Sequence, residues 1–254
     1  MFGPNHQRRD PGGREGRWGP MGTTCGRYCR LAIAFAFALM CVAAPAQANA
    51  NPNFTVFPGM QIYQGNTACM VGFVETRLRI ALSTGQCDDG SLVTDRDNHL
   101  LGTVVVARRQ SDDAAGDSAP LAVEYEVIAL GAEVTASDLL PTGRHLESTP
   151  ALRAQQGLPV CQLRTSGGEK CGSVGPISNG RFAIADLAVD HRDFGGPVYA
   201  LTDDNRALIV GLYEGMWKSA PTLESWQAVM EQLYIDNRAR GEHQLPTEVR
   251  MIGR

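Results

Sequence analysis

The stretch His191-Arg192-Asp193-Phe194-Gly195-Gly196-Pro197-Val198-Tyr199-Ala200, HRDFGGPVYA, decides how the rest of the chain is read. Taken alone it is a turn followed by a strand. Gly195-Gly196-Pro197 is turn punctuation, because glycine tolerates positive φ and proline presets its own. Val198, Tyr199 and Ala200 then begin an apolar run. An acid and a bulky aromatic, Asp193 and Phe194, stand directly before the two glycines. Their meaning depends on what the chain places around them.

Working outward, the neighbours are strands. GPVYAL and ALIVGLY follow, RFAIADLAV precedes, and FTVFPGMQIY, ACMVGFV, RIALS, LLGTVVVAR and LAVEYEVIAL lie earlier. All are rich in Val, Ile, Leu and aromatics, and Gly, Asp, Asn or Pro separates them. Short strands without intervening helices point to a sandwich or barrel. SDDAAGDSAP (111–120) reads as a loop, and LPTGRHLESTPALRAQQG (140–157) as a link between two halves. Helical spacing appears once, in PTLESWQAVMEQLYIDNRAR, where Leu223, Trp226, Met230 and Leu233 recur after a Pro-Thr start. The expectation is an all-β chain closed by a helix over about 222–239.

Composition sets bounds. The 254 residues are 43% hydrophobic and 20% charged, with net charge -4, which is ordinary globular composition. No Lys/Arg run forms a phosphate-tracking patch, so no nucleic-acid partner is expected. Residues 1–50 are read apart from the fold. Arg27 and Arg30 precede an apolar run from Leu31 to Ala44, and Ala46-Gln47-Ala48 and Ala48-Asn49-Ala50 offer small-x-small cleavage sites. This is the pattern of a secretory signal peptide, with a polar extension before it and Met21 as a possible true start. The apolar run is shorter than the ~20 residues a spanning helix needs, so no membrane association is expected after cleavage. Met40 before Cys41 argues against lipidation, and Arg8-Arg9 stand too far from the apolar run for a twin-arginine signal. The mature part, 51–254, keeps Cys69, Cys87, Cys161 and Cys171. An even number in an oxidising compartment favours two disulfides over a metal site. No Cys-x-x-Cys pair occurs there and His is scattered, so neither metal nor other cofactor is expected.

Four motifs in order carry a resemblance. CMVGFVETRLRIALSTGQC (69–87) resembles the segment of chymotrypsin-like serine proteases that ends Thr-Ala-Gly-His-Cys, and it has Gln86 at the His position. VEYEVIAL resembles the strand that bears the catalytic Asp, with Glu124 at that position. GLPVCQLRTSGGEKCGSV (157–174) resembles the Cys-pair segment of the secreted bacterial branch, the α-lytic protease and streptogrisin type. HRDFGGPV resembles the nucleophile loop Gly-Asp-Ser-Gly-Gly-Pro, with Phe194 in place of Ser and Arg192 in place of the oxyanion-hole Gly. The resemblance implies two six-stranded antiparallel β-barrels, about 54–137 and 155–216, with the substrate cleft between them and ALIVGLYEGMW lining it. It also implies the disulfides Cys69–Cys87 and Cys161–Cys171, the pairing that closes two local loops. Asp193 becomes a buried acid needing a cation, with Arg192 and Arg164 both candidates.

The substitutions alter the expected chemistry. A triad needs an oxygen nucleophile, an imidazole to take its proton and a carboxylate to orient that imidazole. Phe194 has no nucleophile, Gln86 accepts no proton near neutral pH, and Glu124 has no ring to orient. The expectation is therefore an inactive homologue that holds an unidentified peptide or protein in its cleft. A structural protein whose cleft is closed by Phe194 is the alternative. The weakest reading is a substitute nucleophile, Ser166, Thr165 or Ser83 with His191 or His99, because nothing ties these residues to one geometry. Taken residue by residue, Glu124, Glu126 and Glu133 read as strand-face charges.

Overall fold

The computed structural model describes residues 54–87, 89–109, 122–184, 190–217 and 220–244, which belong to one compact unit running from Asn51. The segment 1–50 expected to be a signal peptide, with Cys25, Cys29 and Cys41, and the stretch 111–120 expected to be a loop, lie outside the described residues.

The first half is an antiparallel sheet in the order β3-β2-β6-β7-β8-β5-β4. Its strands are β2 (Gln61–Gln64), β3 (Thr67–Met70), β4 (Phe73–Glu75), β5 (Ile80–Ser83), β6 (Leu92–Thr94), β7 (Leu100–Arg108) and β8 (Tyr125–Leu130). Alternation puts Ile62, Cys69, Val74, Ala81, Leu101 and Ile128 into one buried cluster. Two short strands, β1 (Phe54–Val56) and β9 (Val134–Ala136), pair in parallel. The sheet stays open between β3 and β4, which are consecutive lengths of chain joined through Val71 and Gly72. There the backbone donors go elsewhere: Met70 N–H to Phe194 O (2.7 Å), Val71 N–H to Met60 O (2.8 Å) and Gly72 N–H to Leu82 O (2.8 Å). The result is a half-barrel whose gap meets the second half.

The second half closes. β11 (Pro159–Leu163), β12 (Glu169–Ser178), β13 (Arg181–Ile184), β14 (Pro197–Leu201), β15 (Ala207–Trp217) and β16 (Ala220–Ser225) run in the order β15-β14-β11-β12-β13-β16, and β15 also pairs with β16. Val160, Val174, Phe182, Val198, Tyr213 and Leu223 fill this six-stranded barrel. Within the link, β10 (Leu146–Glu147) adds to β15 in parallel.

The helix differs from the sequence expectation at its start. It is α1, Trp226–Gln244, and Thr222–Ser225 belong to β16. Closure of the barrel wins over helical propensity there, because Leu223 is buried in its interior and pairs with both Phe182 and Tyr213. The cap is Ser225, whose Oγ accepts from Ala228 N–H at 3.2 Å, rather than the Pro-Thr pair upstream. Trp226 and Val229 of α1 pack with Phe73, Leu82, Tyr125 and Leu212 into a core that joins helix and both sheets. Each fully buried side chain of this kind contributes about 1.5–3 kcal/mol. Among the described residues no helix is long and apolar enough to cross a membrane.

Both expected disulfides are present. Cys69–Cys87 ties β3 to the 3₁₀ turn at Gly85–Cys87, and Cys161–Cys171 bridges directly opposed residues of β11 and β12.

Candidate functional site

The turn before β14 is built by its own acid. Asp190 has extended backbone and caps a 3₁₀ turn over His191–Asp193. Its Oδ1 accepts from Arg192 N–H (3.0 Å) and Nε (3.1 Å), and its Oδ2 from Nη2 (2.8 Å). The Arg192 side chain and amide hold the Asp190 carboxyl down at about 2. The amide of Phe194 donates back to His191 O at 3.3 Å. Both amides of this turn therefore point inward to local acceptors.

Phe194 is half-buried and packs against the cores of both halves. Its ring lies 5.7 Å from that of Tyr213 and 5.2 Å from that of His191. Gly215 makes room for it: with φ +119, a Cβ there would stand 2.8 Å from Phe194 Cε1. The following residues dock onto both halves. Gly195 N–H donates to Tyr213 O at 2.7 Å, and a Cβ on Gly195 would lie 2.0 Å from Ser83 Oγ. The turn thus sits beside Ser83-Thr84, two residues before Gln86.

Asp193 is fully buried, and Arg164 is its cation. Arg164 Nε lies 3.4 Å from Oδ2, while Thr165 donates both its amide and its hydroxyl to Oδ1, each at 2.7 Å. Arg192, the other candidate, belongs to Asp190.

Gln86 and Glu124 come together: Gln86 Nε2 donates to Glu124 Oε2 at 3.3 Å. The same oxygen accepts from Arg181 Nη2 at 3.3 Å, and the guanidinium also donates to Ala122 O and pairs with Glu224. Glu214, on β15, accepts from Thr84 Oγ1 at 2.5 Å. Glu124 and Glu126 are buried, so they are not strand-face charges; Glu133 alone of the three is exposed. Glu126 is held by Gln64, whose Nε2 donates to its Oε1 at 2.6 Å.

The substitute nucleophiles are held apart. Ser83 Oγ is buried and donates to Met70 O (2.8 Å), Thr165 Oγ1 to Asp193, and His99 Nδ1 meets Asp95 in the β6–β7 turn. Among the described residues no hydrogen bond joins Ser83, Thr165 or Ser166 to His99 or His191. Asp95, Asp97 and His99 bring possible ligand atoms within 4.8 Å, but Asp95 is already the acceptor for both amides of that turn. A cavity of about 520 Å³ lies away from these residues, between α1 and the first sheet, lined by Phe73, Leu82, Val127, Trp226 and Met230.

Sequence reasoning missed Asp190, Arg181, Glu214 and Glu224. An Asp two residues before Arg192 is a readable turn signal. The other three are drawn together from distant parts of the chain and leave no local pattern.

No protein-family model matches the chain. Solved structures that share its fold include an alpha-lytic protease homolog, N4 (19% identity, TM-score 0.55, covering 70% of this chain and 97% of that one), and a glutamic acid specific serine protease (15% identity, TM-score 0.53, covering 72% and 98%). At higher similarity, the uncharacterized protein Rv1815 of Mycobacterium tuberculosis is 38% identical over 183 residues, 71% of this chain and 83% of that protein. The chain has a chymotrypsin-like fold and belongs to the family of the Mycobacterium tuberculosis protein Rv1815.

Proposed function

We propose that this is an exported serine-protease homologue that does not cut peptide bonds and uses the cleft between its halves to hold a peptide or protein segment. The 190–194 turn carries this reading. Acyl transfer needs an activated oxygen, a base, and N–H donors aimed at the developing oxyanion. Phe194 presents a phenyl ring, and the amides of Arg192 and Phe194 are bonded within the turn. Gln86 is bonded to Glu124, whose carboxylate is shared with Arg181. Losing the Ser or the His of a triad removes about 10⁶-fold in rate, so a residual activity from this frame is negligible. Two disulfides and the signal-like N-terminus support export.

A closed, purely structural cleft is the second reading, favoured by the packing of Phe194 on Gly215 and Tyr213. A library of extended peptides against the isotope-labelled mature protein separates the two. The binding reading expects intact peptides to shift the amide signals of Gly211–Met216. Binding by no peptide supports the closed cleft, and cleaved peptides overturn both.

A further inference from the structure

Six polar side chains meet across the boundary between the halves. Thr84 and Gln86 follow β5, Glu124 precedes β8, Arg181 opens β13, and Glu214 and Glu224 lie on β15 and β16. Their bonds cross the boundary repeatedly: Thr84 to Glu214, Arg181 to Glu124, and the Glu124 amide to the Glu224 carboxylate. Arg181 meanwhile pairs with Glu224 from within the second barrel. The register of β15 against β16 steps from Tyr213↔Leu223 to Gly215↔Thr222, leaving Glu214 as the extra residue of a bulge, a device that re-aims a side chain.

The charges do not balance. Among the described residues, the carboxyl groups of Glu124, Glu214 and Glu224 gather around one guanidinium, that of Arg181, and the three are only 5%, 3% and 0% exposed. Fully ionised, the group would carry a net charge of about -2 away from water, and each uncompensated buried ion costs several kcal/mol. Among the described residues, Glu214 Oε1 and Glu224 Oε2 are also buried without a hydrogen-bond partner. A proton on a carboxyl removes its charge and turns a lone acceptor into a donor.

We propose that these residues form a proton-operated clasp that holds the two halves together while Glu214 and Glu224 are protonated, and loosens the cleft beside Phe194 when Glu224 gives up its proton. Burial pushes Glu214 well above the ordinary carboxyl range, with Glu224 adding to the effect. Burial raises Glu224 to about 7, against the pull of Arg181. A carboxyl whose folded value lies above its unfolded one contributes stability that is fully present below the unfolded value and lost as pH rises through the folded one. The window is therefore pH 4.5 to about 7. Only the consequence for ligands rests on the cleft being a binding surface; the clasp is a property of the protein alone.

The test uses the mature, disulfide-bonded protein without ligand, by urea denaturation from pH 4.5 to 8.5 and by amide hydrogen exchange. Moving the Glu224 carboxyl from 4.5 to about 7 weakens the folding equilibrium roughly 150-fold between those limits, and the raised Glu214 adds to the fall. Glu224→Gln should lessen the total fall by about that factor, Glu224→Gln together with Glu214→Gln should bring the profile close to flat, and His99→Gln, on a remote turn, should leave the fall intact. Above pH 7, exchange at the Glu124, Tyr213 and Leu223 amides should accelerate beyond the intrinsic base-catalysed rise, ahead of Ile128 and Val198 in the cores. A flat wild-type profile, an undiminished fall in Glu224→Gln, or acceleration spread evenly through both cores would overturn the clasp. Where Glu224→Gln does not fold, the wild-type exchange map decides alone. Peptide binding is not read in this experiment, so its failure leaves the binding proposal standing.

Discussion

Replacing Gly215 by alanine asks whether Phe194 truly rests on β15. Two separate penalties meet at this position. The backbone has φ +119, which an L side chain rarely adopts, and such strain costs about 1–3 kcal/mol. The new Cβ would also stand 2.8 Å and 2.9 Å from Cε1 and Cζ of Phe194. The ring cannot swing away freely, since Tyr213 and His191 flank it and the backbone N–H and carbonyl of Phe194 are both bonded. Overpacking of this kind adds about 1–3 kcal/mol. Gly215→Ala should therefore lose about 3 kcal/mol, which for a domain of this size lowers Tm by roughly 6–12 °C. In a Phe194→Ala background the contact is gone and the backbone strain remains, so the same change should cost only about 1–2 kcal/mol. The coupling of about 1–2 kcal/mol is readable in a double-mutant cycle by urea denaturation at pH 5, where Glu224 is protonated. Gly143→Ala is the control: its φ is +83 and a Cβ there meets nothing within 4 Å, so it reports backbone strain alone. Equal costs of Gly215→Ala with and without Phe194 would refute the placement of the ring.

Three further outcomes are expected. Phe194→Ser alone stays inactive toward an ester substrate. With Gln86→His it gains measurable turnover, and Asp190→Ala with Arg192→Gly then raises kcat about 10²-fold by freeing one turn amide, an oxyanion donor being worth 10²–10³; no gain in that last step would mean the cap does not compete. Asp193→Ala strands Arg164 and both donors of Thr165, and should destabilise by about 3 kcal/mol, the lower end for a broken buried pair because Arg164 keeps part of its side chain in water. Removing either disulfide, by paired Cys→Ser changes, should lose about 2–4 kcal/mol in denaturant, given sequence separations of 18 and 10.

Strand alternation and turn punctuation made the β architecture legible in the sequence, and the resemblance to chymotrypsin-like proteases supplied the pairing of the two disulfides. The same local signals misled at Thr222–Ser225. There Leu223 fits a helical stripe and a barrel interior equally well, and only the pairing with Phe182 and Tyr213, far apart in the chain, decides between them. The candidate site divides in the same way. Gln86, Glu124, Phe194 and Arg192 were named by position within motifs. The consumption of the Arg192 amide by Asp190 depends on a turn two residues long, and could have been read. The Arg181 cluster could not: Arg181 meets Glu124 across 57 residues and Thr84 meets Glu214 across 130. Reading Glu124 as a strand-face charge failed because periodicity assigns a face, whereas burial of that face is settled by what packs on it.

Fluorophosphonate labelling of the mature, oxidised protein decides whether the site performs acyl transfer. Labelling needs an activated serine oxygen, and position 194 is a phenylalanine whose neighbouring amides are bonded within their own turn. No covalent adduct by intact mass and no release from peptide or ester substrates is the expected outcome. A stoichiometric adduct on any residue, accompanied by substrate turnover, would contradict it.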